Sequence, residues 1–213
     1  MQPQIRTLTF SDLSNDANGI AEDQTTGGAG NLVLDGALVT DGVATMGEAQ
    51  IISIESAGNL SAVTFTVTGT DADGRVQVEA VTGPNAATVK TTEYFKIVTQ
   101  IAVSAAVGTN VEVGPLAADG AASKTVGLDW RENPFAVGLS VTLTGTATFT
   151  VQHTFNDIQD FDNELIWFDN VGISGKTANT DGNLAFPVIA SRLEITAFTS
   201  GAVTFTAIQA GGR

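Results

Sequence analysis

The sequence predicts an all-β fold, an antiparallel β-sandwich of jelly-roll-like type divided between two small β domains. Three observations carry that expectation. A threonine-rich alternating pattern recurs as SAVTFTVTGT at 61–70, GTATFTVQHT at 145–154 and GAVTFTAIQA at 201–210. Each copy places Val, Ala or Phe at one parity and mostly Thr or Gln at the other, so a strand buries one face and hydrates the other. Thr and Val are β-branched and favour the pleated backbone. Turn signals also punctuate the chain at short intervals, with no amphipathic helical period between them. Finally, 43% of the 213 residues are hydrophobic and only 15% charged, enough apolar material for a core beneath a polar, largely uncharged surface.

The elements follow in order. Ile5, Leu8 and Phe10 make a short apolar opening strand. Residues 11–31 are polar and glycine-rich, with no period of two or 3.6, and read as a loop or as an extended arm that orders on a neighbouring subunit. Residues 32–114 form the first β domain. Ile52 with Ile54, then Val63, Phe65 and Val67, then Val76, Val78 and Ala80, each share a parity. Asp71-Ala-Asp-Gly74 separates two of these runs and marks a hairpin; Gly83-Pro-Asn85 marks another turn. Ile101, Val103, Ala105, Val111 and Val113 complete the series.

The Gly, Pro and Ala content of 115–125 suits a linker. The second β domain, 126–213, restarts at Val126 with a turn at Asn133-Pro134, then strands near 136–155, 184–197 and 202–209. Only 156–170 has room for a helical turn. One continuous sandwich is the alternative organisation.

The charge is one-sided, 23 acidic against 9 basic residues, net −14. Nucleic-acid affinity rests on clustered Lys and Arg, so this balance argues against a nucleic-acid partner, and equally against an anionic membrane surface. No cysteine occurs, which excludes disulfides and thiolate metal sites. The amino terminus has no apolar signal region and no run reaches membrane-spanning length, so the expectation is a soluble protein not exported by a classical signal.

Groups able to do chemistry are scarce. The single histidine, His153, shares a strand face with Phe149, Val151 and Phe155, which makes it a hydrogen-bonded core or interface residue rather than a general base. No G-x-S-x-G accompanies it. The densest acidic cluster is Asp157, Asp160, Asp162, Glu164 and Asp169; calcium takes six to eight oxygens, but the spacing does not match an EF-hand loop. A solvated acidic loop is the expectation, with Ile158, Phe161, Leu165 and Trp167 anchoring it. Gly27–Gly30 lacks the Lys-Ser/Thr of a phosphate loop, and the basic residues are scattered. Tyr94-Phe95 with Ile97 forms a compact aromatic anchor, for the core or for a subunit contact. No catalytic residue, cofactor or metal is expected.

Three passages, 93–114, 133–157 and 167–196, resemble segments of small β-rich virion structural proteins of tailed bacteriophages. The resemblance covers most of 93–196 and less of the first ninety residues. It implies a non-enzymatic particle component made in the bacterial host cytoplasm. A capsid decoration (cement) protein is the leading expectation, a homotrimer clamping the phage major capsid protein on the capsid surface. Its contacts would then come from Phe10, Tyr94, Phe95, Trp130, Phe135 and His153. A tail, collar or fibre-attachment component is the second expectation. The third is a carbohydrate-binding β module for host adsorption, using Trp130 or Trp167 with Asp157 and Asp160 or Asp162.

Overall fold

A computed structural model describes residues 4–11, 13–161 and 163–210. Strands make up 59% of it and helix 3%, and the strands pair antiparallel, so the fold is an all-β sandwich as expected. In chain order the first strands are β1 (Gln4–Phe10), β2 (Ala21–Thr26), β3 (Gly30–Asn31), β4 (Val39–Thr40), β5 (Val43–Gln50) and β6 (Ile52–Asn59). Next come β7 (Thr64–Thr70), β8 (Val76–Thr82), β9 (Asn85–Lys90), β10 (Phe95–Val103), β11 (Val107–Pro115) and β12 (Ala121–Ala122). The series ends with β13 (Val126–Gly127), β14 (Val137–Thr154), β15 (Phe168–Asp169), β16 (Thr180–Leu184) and β17 (Ala190–Gln209). Contacts divide the chain into two compact units: residues 13–121, and residues 122–213 together with β1.

The unit formed by 13–121 is built from two layers. β4, β5, β10, β7 and β8 lie side by side in one sheet, and β2, β11, β6 and β9 in the other. Alternation fills the space between them. β7 buries Phe65 and Val67 while Thr64, Thr66, Thr68 and Thr70 stay half-buried on its other face. Ile52 and Ile54 of β6, Val111 and Val113 of β11, and Phe95, Val98 and Ile101 of β10 join the same core. Asp71 closes the β7–β8 hairpin: its Oδ1 accepts from the N–H groups of Asp73 and Arg75, both at 2.8 Å, and Gly74 takes the positive φ.

The parity that Val76, Val78 and Ala80 share is the exposed one of β8. They face outward because the register sets them opposite Thr70, Thr68 and Thr66 on the polar side. Val81, of the other parity, is the buried residue, directly opposite Phe65. The expected loop or arm over 11–31 is corrected. Leu13, Ile20 and Ala21 are buried, and β2 pairs with β11 through Val113↔Ala21, Val111↔Gln24 and Val107↔Thr26. This commitment runs through the backbone, with Ile20 N–H donating to the Val113 carbonyl at 2.9 Å, so side-chain periodicity does not report it. The expected linker 115–125 contains the division between the two units, between 121 and 122. It holds a 3-10 turn at Ala117–Asp119, buried alanines at 117, 121 and 122, and Asp119 accepting from Ser53 Oγ at 2.6 Å.

The second unit is organised by two long antiparallel strands, β14 and β17, in register from Val137↔Gln209 to Thr154↔Ala190. β17 runs through 198–201, where sequence placed a break. β1 pairs with β17 from Gln4↔Gln209 to Phe10↔Val203, and β16 pairs with β14 from Val137↔Leu184 to Val141↔Thr180. One face of this four-stranded end buries Phe10, Val203, Phe205, Leu139, Val141 and Leu184. The other carries hydroxyls: Thr7 and Thr206 Oγ1 lie 3.3 Å apart, Thr9 and Thr204 Oγ1 3.1 Å. The short helical turn expected within 156–170 sits just beyond it, at Val171–Ile173.

Candidate interaction site

The site lies at the far end of β14. Alternation along that strand carries Phe149, Val151 and His153 on one face, and Phe155 follows one residue beyond the strand end. β15 pairs there, setting Phe168 directly opposite His153. The chain leaving β16 delivers Phe186. Four rings therefore meet: His153 lies edge-on to Phe155 (centroids 5.5 Å apart) and Phe186 (5.6 Å), and tilted against Phe168 (6.0 Å). Phe155 stacks on Phe186 at 6.0 Å and meets Phe168 edge-on at 5.8 Å. These separations and angles are the ones aromatic quadrupoles prefer.

The cluster is not a core. His153 is 7% exposed, but Phe155 is 52%, Phe168 48%, Phe186 48% and the neighbouring Val171 93% exposed. Beside them a groove of about 310 Å³ is lined by His153, Asp169, Asn170, Val171, Gly182 and Phe186 among others. Asn170 ties its walls together, donating from Nδ2 to the Asn183 carbonyl at 3.0 Å and accepting the Gly172 N–H at 3.0 Å. Asp169 is held by Gln152 Nε2 and Ser174 Oγ, both at 3.0 Å. His153 Nδ1 has no hydrogen-bond partner among the described residues. Burial pushes the imidazole below its ordinary range, and the Asp169 carboxylate pulls it partly back. The arrangement is suited to binding: an apolar, half-exposed aromatic platform beside a groove that His153 helps to line.

Of the contact residues expected from sequence, His153 alone belongs to this site. Phe10 and Phe95 are fully buried inside the folded chain, which corrects their assignment to an interface. Tyr94 and Phe135 are half-buried. Trp130 is exposed, with the Arg131 guanidinium 4.6 Å from its ring centroid, and Arg192 covers Trp167 at 4.3 Å. The acidic residues do not converge: among the described residues no three His, Cys, Asp or Glu side chains are placed to hold a metal ion, and Asp162 lies outside them. Phe161 is exposed rather than anchoring that loop.

Sequence reasoning missed Phe155, Phe168 and Phe186 as a group. Phe155 shares the parity of His153, which was the available signal. Phe168 stands in the run Leu165-Ile-Trp-Phe168, which reads as buried, yet Ile166 and Phe168 are both exposed.

No protein-family model matches this chain, and no curated protein matches it. Among solved structures, the VP2 subviral particle protein of infectious bursal disease virus aligns over 99% of this chain and 72% of its own, at 13% identity and TM-score 0.24. The tandem CBM22-1–CBM22-2 domain of Xyn10C from Paenibacillus barcinonensis aligns over 99% and 94%, at 10% identity and TM-score 0.23. The major capsid protein P2 of bacteriophage PM2 aligns over 97% of each chain, at 9% identity and TM-score 0.22. With TM-scores this low, none of these likenesses bears on what the chain does.

Proposed function

We propose that this chain is a non-enzymatic structural component of a bacteriophage particle, a decoration protein that grips the major capsid protein at the shell surface. The observation that carries the reading is the exposed Phe155–Phe168–Phe186 platform with Val171 at its edge. Contiguous apolar surface of this kind marks a protein contact. Half of each phenylalanine ring still faces water. At ~100 Å² apiece, covering them is worth on the order of 7 kcal/mol at about 25 cal/mol per Å², before the cost of association is subtracted. Repeated over a symmetric shell, a contact of that size gives avidity and adds stability to the assembly.

Two further features support the reading. The resemblance of 93–114, 133–157 and 167–196 to tailed-phage virion proteins supplies the particle context, and a net charge of −14 suits a place outside the shell, away from packaged DNA. The hydroxyl-lined face of β1, β17 and β14 suits lateral hydrogen bonding between copies, and the expected homo-oligomer is a trimer. The test is copy number per purified particle, by quantitative mass spectrometry against the major capsid protein. Hundreds of copies are expected. About a dozen or fewer would move the protein to the tail axis, and absence from particles would overturn the reading.

A further inference from the structure

We infer that His153 is a pH-gated latch: protonated in mild acid, it releases β15 and the Phe168 ring from the end of β14 while the other strands stay paired. The device belongs to the folded chain alone, so it stands or fails apart from the particle reading. Its first element is the setting of Nδ1, which is buried, without a partner among the described residues, in a side chain 7% exposed. An imidazolium carries an N–H on both ring nitrogens. Charging His153 therefore places a buried donor in a surround made of the Phe155, Phe168 and Phe186 rings. A buried charge without an acceptor is a costly state, and opening to water relieves it.

The charges near the ring do not relieve it in the closed form. Ser191 stands directly opposite His153 on β17, and alternation sends Arg192 and Glu194 to the other face, where both meet Gln152. The segments 185–188 and Val171–Ile173 carry no ionisable side chain. Asp157, two residues past Phe155, accepts the Gln159 N–H at 2.9 Å. Asp169 is the carboxylate whose charge acts on the imidazole, and it is held by Gln152 Nε2 and Ser174 Oγ.

The element that gives way is β15. It has two residues, paired as Gln152↔Asp169 and His153↔Phe168, with the Asn170 N–H to the Val151 carbonyl at 2.8 Å beside them. Phe168 is already 48% exposed, so lifting it uncovers only half a ring. In the closed form burial holds the imidazole below 6.5, whereas a lifted form leaves the ring in water at its ordinary value. Opening is thus suppressed above 6.5. Below it, the open fraction grows by up to about tenfold per pH unit, until the closed form also takes the proton.

The test is fluorescence of the full chain carrying Trp130→Phe, which leaves Trp167, next to Phe168 and 4.3 Å from Arg192, as the sole tryptophan. Titration from neutral pH downward should red-shift its emission with a midpoint below 6.5, while far-UV circular dichroism stays constant. His153→Gln in the same background should abolish the shift. Independently of any substitution at 153, hydrogen exchange should show the Asn170 amide losing protection by at least about tenfold between pH 7 and 5, corrected for the intrinsic rate. Amides of the β14–β17 ladder should keep theirs. An unchanged emission, the same change in His153→Gln, or unaltered Asn170 protection would overturn the inference. So would a midpoint at or above 6.5, or loss of the whole β signal together with the shift.

Discussion

Gly145 stands directly opposite Gly201 in the ladder between β14 and β17, and both adopt positive φ, 98° and 91°. A Cβ on Gly201 would lie 1.6 Å from the Thr144 carbonyl oxygen, and one on Gly145 2.3 Å from that of Ser200. The two longest strands, 18 and 20 residues, thus cross their midpoint through a paired glycine step. The register slips just beyond it, between Thr146 and Ala147. Such bulges bend and twist a ribbon too long to stay flat. The paired glycines stand between the hydroxyl-lined end of this ladder and its aromatic end.

Gly201→Ala should therefore destabilise the fold by about 3 kcal/mol, since it adds a backbone clash to an unfavourable φ. Gly145→Ala should cost somewhat less. Urea denaturation midpoints read both. An unchanged midpoint for Gly201→Ala would show that the paired step is not required.

His153 sets a pH dependence of stability. Its imidazole titrates below the ordinary 6.5 because burial disfavours the cation. The unfolded chain therefore takes up a proton before the native state does, and this contribution to stability, present above 6.5, is lost as the pH falls through the lowered value. The stability difference between wild type and His153→Gln should shift against wild type from pH 7 to 5. A difference that stays constant would mean the imidazole titrates normally.

The opposite sign holds for Glu112. Its carboxyl is pushed above 4.5, first by desolvation and then by Asp23, Glu55 and Asp16, and the ladder sets it directly opposite Glu55. Ionised at neutral pH, it works against the fold, and protonation removes that penalty as the pH falls through the raised value. Glu112→Gln should raise the thermal midpoint at pH 7, and the gain should vanish near pH 4. A gain independent of pH would point to packing instead.

Deleting residues 1–31 should abolish folding of both units rather than trim a loose arm. β1 covers the β17 edge with Phe10 beneath it, and β2 closes the second layer of the other unit over Ile20 and Ala21. Circular dichroism with analytical ultracentrifugation reads the outcome. A soluble, β-rich monomer after deletion would count against this role.

Strands whose alternation matches their two environments were legible from sequence, β7 above all, because Phe65 and Val67 against Thr64 and Thr66 encode both faces. β8 was not. Its Val76 and Val78 look like a buried parity, and only the register with β7 decides which face they take. β2 is held through backbone hydrogen bonds, which leave no hydrophobic period. The aromatic site was legible at two residues in four: His153 and Phe155 share a readable face, whereas Phe168 and Phe186 reach it through strand pairing and a loop path that no local pattern records.

The pairing of β1 with β17 also has a consequence in time. Thr7 and Thr206, whose hydroxyls meet across that ladder, are 199 residues apart in sequence. At roughly 5 to 20 residues per second, a ribosome makes β1 some 10 to 40 s before its partner. The intervening 13–121 unit is complete well within that interval. During it β1 is a strand without a sheet, its Phe10 uncovered, and a chain that stalls before residue 203 leaves it so. Closure of the unit that holds β1 therefore waits for the synthesis of β17.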